Sequence, residues 1–464
     1  MQSIRTRRTR GGAFYHQQTS LVPMQPHRAS LQNPHIWYSS LAMSSRQNYD
    51  VIVIGGGASG MMAAGRAAER GRRVLLLEKN KVLGKKLSIT GGGRCNILNA
   101  EPDTKKLLAH FGDAAKFLYS PFAQHGMQDS WDFFTKRGLP LVVEARKRAF
   151  PESMQAPEVT ETMRRYLTEH RVEIRTAQPV VEILTEDGVV TGVRTKAGDV
   201  FTATSYILAA GGASHQETGS TGESLEWLRT LGYTVHDPNP NLVPLVSPDA
   251  WVHQLSGTTL SFMKITFAAD HAKGTASTPG RFSRTGKVLF THFGLSGPLI
   301  LNAAHEVKKL LASGPVATTI DMYPDTELGT VRNRVLEAFL QHKNKSVHTV
   351  VKELAPAGMS EAVLAQFPPE LRTEKVHSVR KEEREAIADV MKAMPLTITD
   401  TMGLDWAVLS DGGVDLTEVD TKTMRSKRHE NVYFTGDMLH INRPSGGYSL
   451  QLCWTTGWVA GESV

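Results

Sequence analysis

The sequence predicts a mixed α/β fold in which a parallel, nucleotide-binding sheet domain is interrupted by a β-rich insert and a small helical part. Three observations carry this expectation. An apolar strand beginning at Tyr49 runs straight into a GxGxxG turn. A long middle stretch changes from a strand-like to a charged, helix-like pattern. A further apolar strand near the C-terminus ends in Gly-Asp. The 464 residues, 40% of them hydrophobic and 21% charged, suffice for a large core and exclude disorder of the bulk. Two cysteines, Cys95 and Cys453, exclude a disulfide scaffold, a four-cysteine zinc site and a CxxC redox pair. No metal site is read. No apolar run approaches the roughly 18 residues that cross a bilayer, so the chain reads as soluble with no membrane partner.

The formal net charge of +7 is concentrated at the front. Residues 1–49 hold six arginines, no lysine and no acid, and setting these six aside from the 53 basic residues leaves 47 against 46 acidic ones. The folded body is therefore nearly neutral, and global charge does not argue for nucleic acid. The 1–48 segment is Arg-rich and acid-free without an apolar core. That suits a mitochondrial or plastid transit peptide, and equally a disordered extension of a cytoplasmic protein or a misplaced start codon, since Met43 lies just before the first strand.

Val51-Ile52-Val53-Ile54 leads into Gly55-Gly56-Gly57-Ala58-Ser59-Gly60, and helix formers follow from Met61 to Arg70 with Gly71 as the stop. Val74 to Leu77 then delivers Glu78, with Lys79 beside it. In a dinucleotide fingerprint Gly55 makes the tight turn, Gly57 lets a pyrophosphate approach the backbone, and Gly60 lets the helix pack on the strand. The amide end of the helix, at Ala58 and Ser59, attracts phosphate, and Glu78 accepts from a ribose diol.

The fingerprint alone leaves NAD and FAD open. The next motif, Lys85-Lys86-Leu87-Ser88-Ile89-Thr90-Gly91-Gly92-Gly93-Arg94-Cys95-Asn96, places three glycines beside an arginine. Glycine costs about 1 kcal/mol in regular elements and is kept where backbone approaches a ligand or takes positive φ. A flavin diphosphate or isoalloxazine ring is the natural occupant, and Arg94 pairs with a phosphate or with the anionic reduced flavin. Lys86 and Asn96 count with this loop.

A helix is predicted over 159–170, then short strands at 172–175, 180–184, 189–195 and 200–202, and a return strand from Tyr206 into Gly211-Gly212. Val432-Tyr433-Phe434-Thr435 ends in Gly436-Asp437, where the aspartate can hold ribityl hydroxyls, and Gly446-Gly447-Tyr448 follows. This is a Rossmann-like FAD-binding domain of the two-dinucleotide-binding flavoprotein type. Its parts are expected at 49–238 and 395–464, with the β-rich insert at 239–325 and the helical part at 326–394. Pro395 to Asp400 is the expected way back to the parallel sheet, and Gly412-Gly413 reads as a turn between strands.

GKKLSITGGGRCNILN, RAFPES, AAGGAS followed by GSTGES, LFTHFGLSGP, DGGVDLTEVDTKTMRSK, and FTGD followed by RPSGGYSLQLCWTTGWVAG occur in this order. Together they resemble the BaiN/RdsA family of NAD(P)/FAD-dependent oxidoreductases, from about Tyr49 to the C-terminus. The resemblance implies FAD, reduction of a bile-acid enone or of uridine in ribosomal RNA, and NAD(P)H as electron source. Both acceptors take hydride at a carbon β to a carbonyl. One departure stands out: many relatives have Gly-Glu and an Asp-rich turn where this chain has Gly436-Asp437 and Leu439 to Arg443. No second fingerprint appears, so NAD(P)H is expected to meet the flavin in the substrate cavity. An oxygen-using amine or aminoketone oxidase and a non-catalytic flavin carrier are the alternatives. No stable protein partner is implied.

Hydride chemistry belongs to a flavin, so the protein must supply a proton. His292, flanked by glycines in the insert, is the first candidate, with a structural histidine as the equal alternative. Cys95 is a second, against a small residue packed beneath the flavin, and Tyr448 a third. Arg146-Lys147-Arg148 reads as a solvated basic knot.

Overall fold

The computed structural model describes residues 49–269 and 280–464. The extension expected at 1–48, with its targeting reading, lies outside them. Tyr49–Ile54 is buried at every position except Asp50, the pattern of a central parallel strand covered on both faces. It pairs in parallel with Val74–Leu77 on one side and Ala203–Leu208 on the other. Glu173–Arg175 and Val432–Phe434 complete this five-stranded sheet at its two edges. The helix Ala58–Glu69 leaves the first strand through a very tight turn. A Cβ on Gly60 would lie 1.9 Å from the Gly55 carbonyl oxygen, so only glycine allows that approach. The last helix, Tyr448–Ser463, is buried over most of its length and lies along Ala58–Glu69. Two small antiparallel sheets flank this core. One is built from Leu98–Asn99, Arg148–Pro151 and Leu141–Glu144, the other from the meander Val180–Glu186, Val189–Thr195 and Val200–Phe201.

A separate hydrophobic core runs from Val243 to Ala407. Its seven-stranded sheet has the order Met394–Ile398, Val316–Asp321, Thr259–Ala268, Arg281–Thr291, Gly294–Ser296, Leu245–Val246 and Asp400–Thr401. Helices between Leu328 and Lys392 pack on it. Two expectations need correction here. Pro395 to Asp400 does not lead back to the parallel sheet, because Met394–Ile398 pairs antiparallel with Val316–Ile320 and buries Met394, Leu396 and Ile398 in the insert. The crossing is instead a ribbon of Val235–Asn241 against Leu409–Val414. Gly412 and Gly413 lie inside that second strand rather than in a turn, at φ +112° and +122°. A Cβ on Gly412 would stand 2.7 Å from the Pro238 Cα, and one on Gly413 2.5 Å from the Met438 carbonyl oxygen. Among the described residues no helix is long and apolar enough to cross a membrane.

Candidate functional site

The carboxyl ends of the parallel strands, at Ile54, Leu77 and Ala209, open into a cavity of about 680 Å³ that the insert covers with Leu242, Pro298, Leu301 and Val408. A crevice at this end of an open α/β sheet is where such folds bind ligands. Fourteen residues picked out from the sequence line it: Gly55, Gly57, Ala58, Ser59, Glu78, Lys79, Lys86, Gly91, Gly92, Asn96, Gly211, Asp437, Gly446 and Gly447.

Three features set its chemistry. The helix Ala58–Glu69 has neither a side-chain cap nor an acid in its first turn, and its first residues line the cavity. A Cβ on Gly57 would meet no protein atom within 4 Å, so the glycine keeps the backbone open on the cavity side. Lys86 reaches in from below and donates to the Ser214 carbonyl at 2.7 Å and to the Ser214 hydroxyl at 3.3 Å. Burial pulls its ammonium below the ordinary lysine value, and the nearby Asp437 carboxylate opposes this. Asp437 is itself bonded to the buried Arg443, whose Nη1 also donates to the Ile441 carbonyl at 2.6 Å. Lys86 thus brings a cation into the same cavity as the amide end of the helix, while Asp437 is engaged by Arg443.

Glu78 differs in detail from its expected role. Its Oε2 accepts from the Gly56 N–H at 2.7 Å, and its Oε1 accepts from the backbone and side-chain nitrogens of Asn80, each at 2.7 Å. One lone pair on Oε2 remains, enough for one ribose hydroxyl rather than two.

Arg94 points away from the cavity. It pairs with Glu144 and lies 4.3 Å over the Phe150 ring, so neither a phosphate nor a flavin is its partner in this arrangement. Gly60, Gly93, Gly212 and Gly436 lie behind the lining. Gly212 and Gly436 give room instead: a Cβ would stand 2.6 Å from Ser410 Oγ at the first and 2.8 Å from Ser59 Oγ at the second. The three proton-donor candidates are also outside the lining. Cys95 is fully buried and its thiol is pushed up to about 12 by that burial. Tyr448 packs its ring 4.7 Å from His110, and burial raises its phenol. His292 is exposed on the hairpin between Arg281–Thr291 and Gly294–Ser296, its ring 5.0 Å from that of Phe293.

Sequence reasoning missed the loop that closes the Lys79 side of the cavity. Residues 214–223 strap across Lys79 to Lys86: Lys79 Nζ bonds Glu223 at 2.5 Å and Thr221 at 3.0 Å, and Asn80 Nδ2 bonds the Thr218 carbonyl at 3.0 Å. The glycines of GSTGES were the available signal, since Gly219 and Gly222 take positive φ and Gly219 has no room for a Cβ beside Asn80.

The family described as HI0933-like protein Rossmann domain matches residues 49–463. Among curated proteins, the chain is 30% identical to a 3-dehydro-bile acid delta(4,6)-reductase of Clostridium scindens, over 89% of this chain and 98% of that one. It is 24% identical to a ribosomal RNA dihydrouridine synthase of Escherichia coli, over 90% of this chain and 98% of that one. Among solved structures, a 3-ketosteroid delta1-dehydrogenase from Sterolibacterium denitrificans superposes with a TM-score of 0.50 at 14% identity, over 89% of this chain and 98% of that one, a likeness of fold. The parallel sheet with its glycine fingerprint, the capped cavity and a match over the whole described body agree: the chain belongs to the HI0933-like Rossmann-domain family of FAD-dependent oxidoreductases.

Proposed function

We propose that this chain holds FAD noncovalently in the glycine-lined cavity and uses NAD(P)H to reduce a carbon-carbon double bond conjugated to a carbonyl. The acceptor is a small enone or a uridine of large-subunit ribosomal RNA; the relatives are named a 3-dehydro-bile acid delta(4,6)-reductase and a ribosomal RNA dihydrouridine synthase. The observation that carries the reading is the pairing of an uncapped helix end at Ala58 with the half-buried Lys86 in one cavity. A diphosphate fits both its charge and its donors.

The residues present fit the cofactor. Ala58, Ser59 and Lys86 would hold the diphosphate, and Glu78 one hydroxyl of the adenosine ribose. Gly91, Gly92, Gly446 and Gly447 would give the ring system close access to backbone, all four at positive φ. The amide end of Tyr448–Ser463, which begins at Gly447, would stabilise negative charge at the edge of a reduced ring. When bound, FAD supplies the hydride transfer. The insert residues Leu242, Pro298, Leu301 and Val408 orient an apolar acceptor and exclude water on their side. Thr90, Ser445 and Ser449 are lining hydroxyls beside the glycines assigned to the ring, able to pass a proton to the acceptor.

The test is anaerobic mixing of purified yellow protein with NADH or NADPH, followed by a 3-oxo-4-ene steroid or by ribosomal RNA from a strain lacking uridine reduction. Bleaching by nucleotide and recolouring by one acceptor, with reduced product found by mass spectrometry, is expected. A protein that bleaches and is recoloured by oxygen alone overturns the acceptor assignment, and recovery of FMN alone overturns the cofactor.

A further inference from the structure

The turn Ala145–Lys147 joins Leu141–Glu144 to Arg148–Pro151 and carries the basic knot of the sequence. Arg146 and Lys147 both sit in the left-handed region, at φ +62° and +57°. Two successive residues with a Cβ are disfavoured there, and such outliers persist only where surrounding bonds impose them. Those bonds tie the turn to the cavity. Asn99 Nδ2 donates to the Arg146 carbonyl at 3.2 Å and to the carbonyl of the cavity-lining Gly446 at 2.9 Å. The Ala100 N–H donates to the Lys147 carbonyl at 2.7 Å.

The charges around the turn do not cancel. Glu144 is shared by Arg94 and Arg148, and Lys147 pairs with Glu101 at 2.6 Å, so four cations meet two carboxylates. Arg146 is the unmatched one: among the described residues its exposed guanidinium has no carboxylate or hydrogen-bond acceptor. It reaches toward the insert, where its Nη2 stands 3.4 Å and the Leu299 Cβ 3.3 Å from the point a Cβ on Gly286 would occupy. Leu299 is flanked by Pro298 and Leu301, which line the cavity. Arg146 therefore stands between two lining segments, its carbonyl tied through Asn99 to Gly446 and its guanidinium close to Leu299 beside Pro298, in a body otherwise close to neutral.

We propose that Arg146, the free guanidinium of this cluster, binds an oxyanion carried by the acceptor, a carboxylate or a phosphodiester, and so selects acceptors by charge. The proposal rests on the reading that the acceptor enters this cavity. A planar guanidinium suits either oxyanion through paired N–H donors.

The experiment compares the oxidised holoenzyme with its Arg146→Gly variant, which removes the guanidinium and relieves the backbone. Flavin content and thermal midpoint report integrity. Binding is read from perturbation of the flavin spectrum by three probes: a 3-oxo-4-ene steroid bearing a side-chain carboxylate, its uncharged parent, and a short uridine-containing oligoribonucleotide. Expected is a roughly tenfold or greater loss of affinity for one or both anionic probes, no change for the uncharged one, and partial rescue in Arg146→Lys. The anionic probe that responds identifies the source of the oxyanion. Equal losses for charged and uncharged probes would make the residue structural. Unchanged anion affinity, or a wild-type protein that binds no anionic probe more tightly than the uncharged one, would overturn the site. If the protein reduces the uncharged enone while showing no charge selection, the catalytic reading stands and this inference falls.

Discussion

A Cβ on Gly457 would stand 2.4 Å from the carbonyl oxygen of Ser59, and one turn later a Cβ on Gly461 would stand 2.4 Å from that of Ala63. The last helix can therefore lie against the fingerprint helix only because both positions are glycine. That contact brings Gly446, Gly447 and Cys453 into the same cavity as Gly55 to Ser59.

Substituting either glycine by alanine is expected to destabilise the protein by about 1 to 3 kcal/mol, the usual cost of overpacking a tight core. Gly457→Ala should in addition lower flavin retention, because the displaced backbone is that of Ser59. Chemical denaturation of the apoprotein, with flavin content measured separately, distinguishes the two effects. Wild-type stability in both variants would show that the helices can separate freely.

Lys86→Met should leave an apoprotein that folds but loses FAD on gel filtration, since its ammonium is the cation that shares the cavity with the uncapped helix end. Glu78→Ala should weaken FAD by roughly 1 to 3 kcal/mol through loss of a charge-assisted contact and disturbance of the Gly56 and Asn80 amides it holds. Titration of apoprotein with FAD, followed by quenching of flavin fluorescence, measures both. Lys86→Met binding with wild-type affinity would remove the diphosphate from this end of the cavity.

His292→Ala is expected to keep its flavin and to reduce acceptor at a rate within about threefold of wild type, well short of the 10² to 10⁴ that a positioned general acid contributes. Its exposed place on the hairpin, outside the cavity lining, is the reason. Stopped-flow measurement of reoxidation tests this, and a selective slowing of that half-reaction by a factor of 10² or more would restore the histidine as proton donor.

His125 supplies a pH dependence. Its ring stacks on Trp458 at 5.1 Å, and burial lowers its value from 6.5 to about 4. Between these values the unfolded chain binds a proton that the folded chain refuses, so stability is lost as pH falls from about 6.5 toward 4. The full contribution is at most about 3 kcal/mol. His125→Phe preserves the stack and removes the proton, so its apoprotein should show a flatter fall in denaturation midpoint over that window. Parallel curves for the two proteins would count against it.

Much of the fold was legible because its signals are local. The run Val51 to Ile54, the helix formers after Gly60 and the alternation in Val316–Asp321 each fix a backbone period through a few adjacent side chains. The hand-over between domains was not legible. Pro395 to Ile398 alternates like any strand, and only its neighbour Val316–Ile320 assigns it to the insert.

The cofactor loops show the same division. Glycine positions in the fingerprint and in Gly91 to Gly93 follow from backbone freedom, a property of the residue itself, and the sequence alone determined them. Which charged or titratable side chain faces the cavity was decided by packing against partners that stand from 6 to 128 residues away. Arg94 turned to Glu144, Lys86 was drawn to Ser214, Cys95 was sealed in the core, and Asp437 was engaged by Arg443. Residue type sets what a side chain can do; its direction depends on partners that only the folded chain assembles.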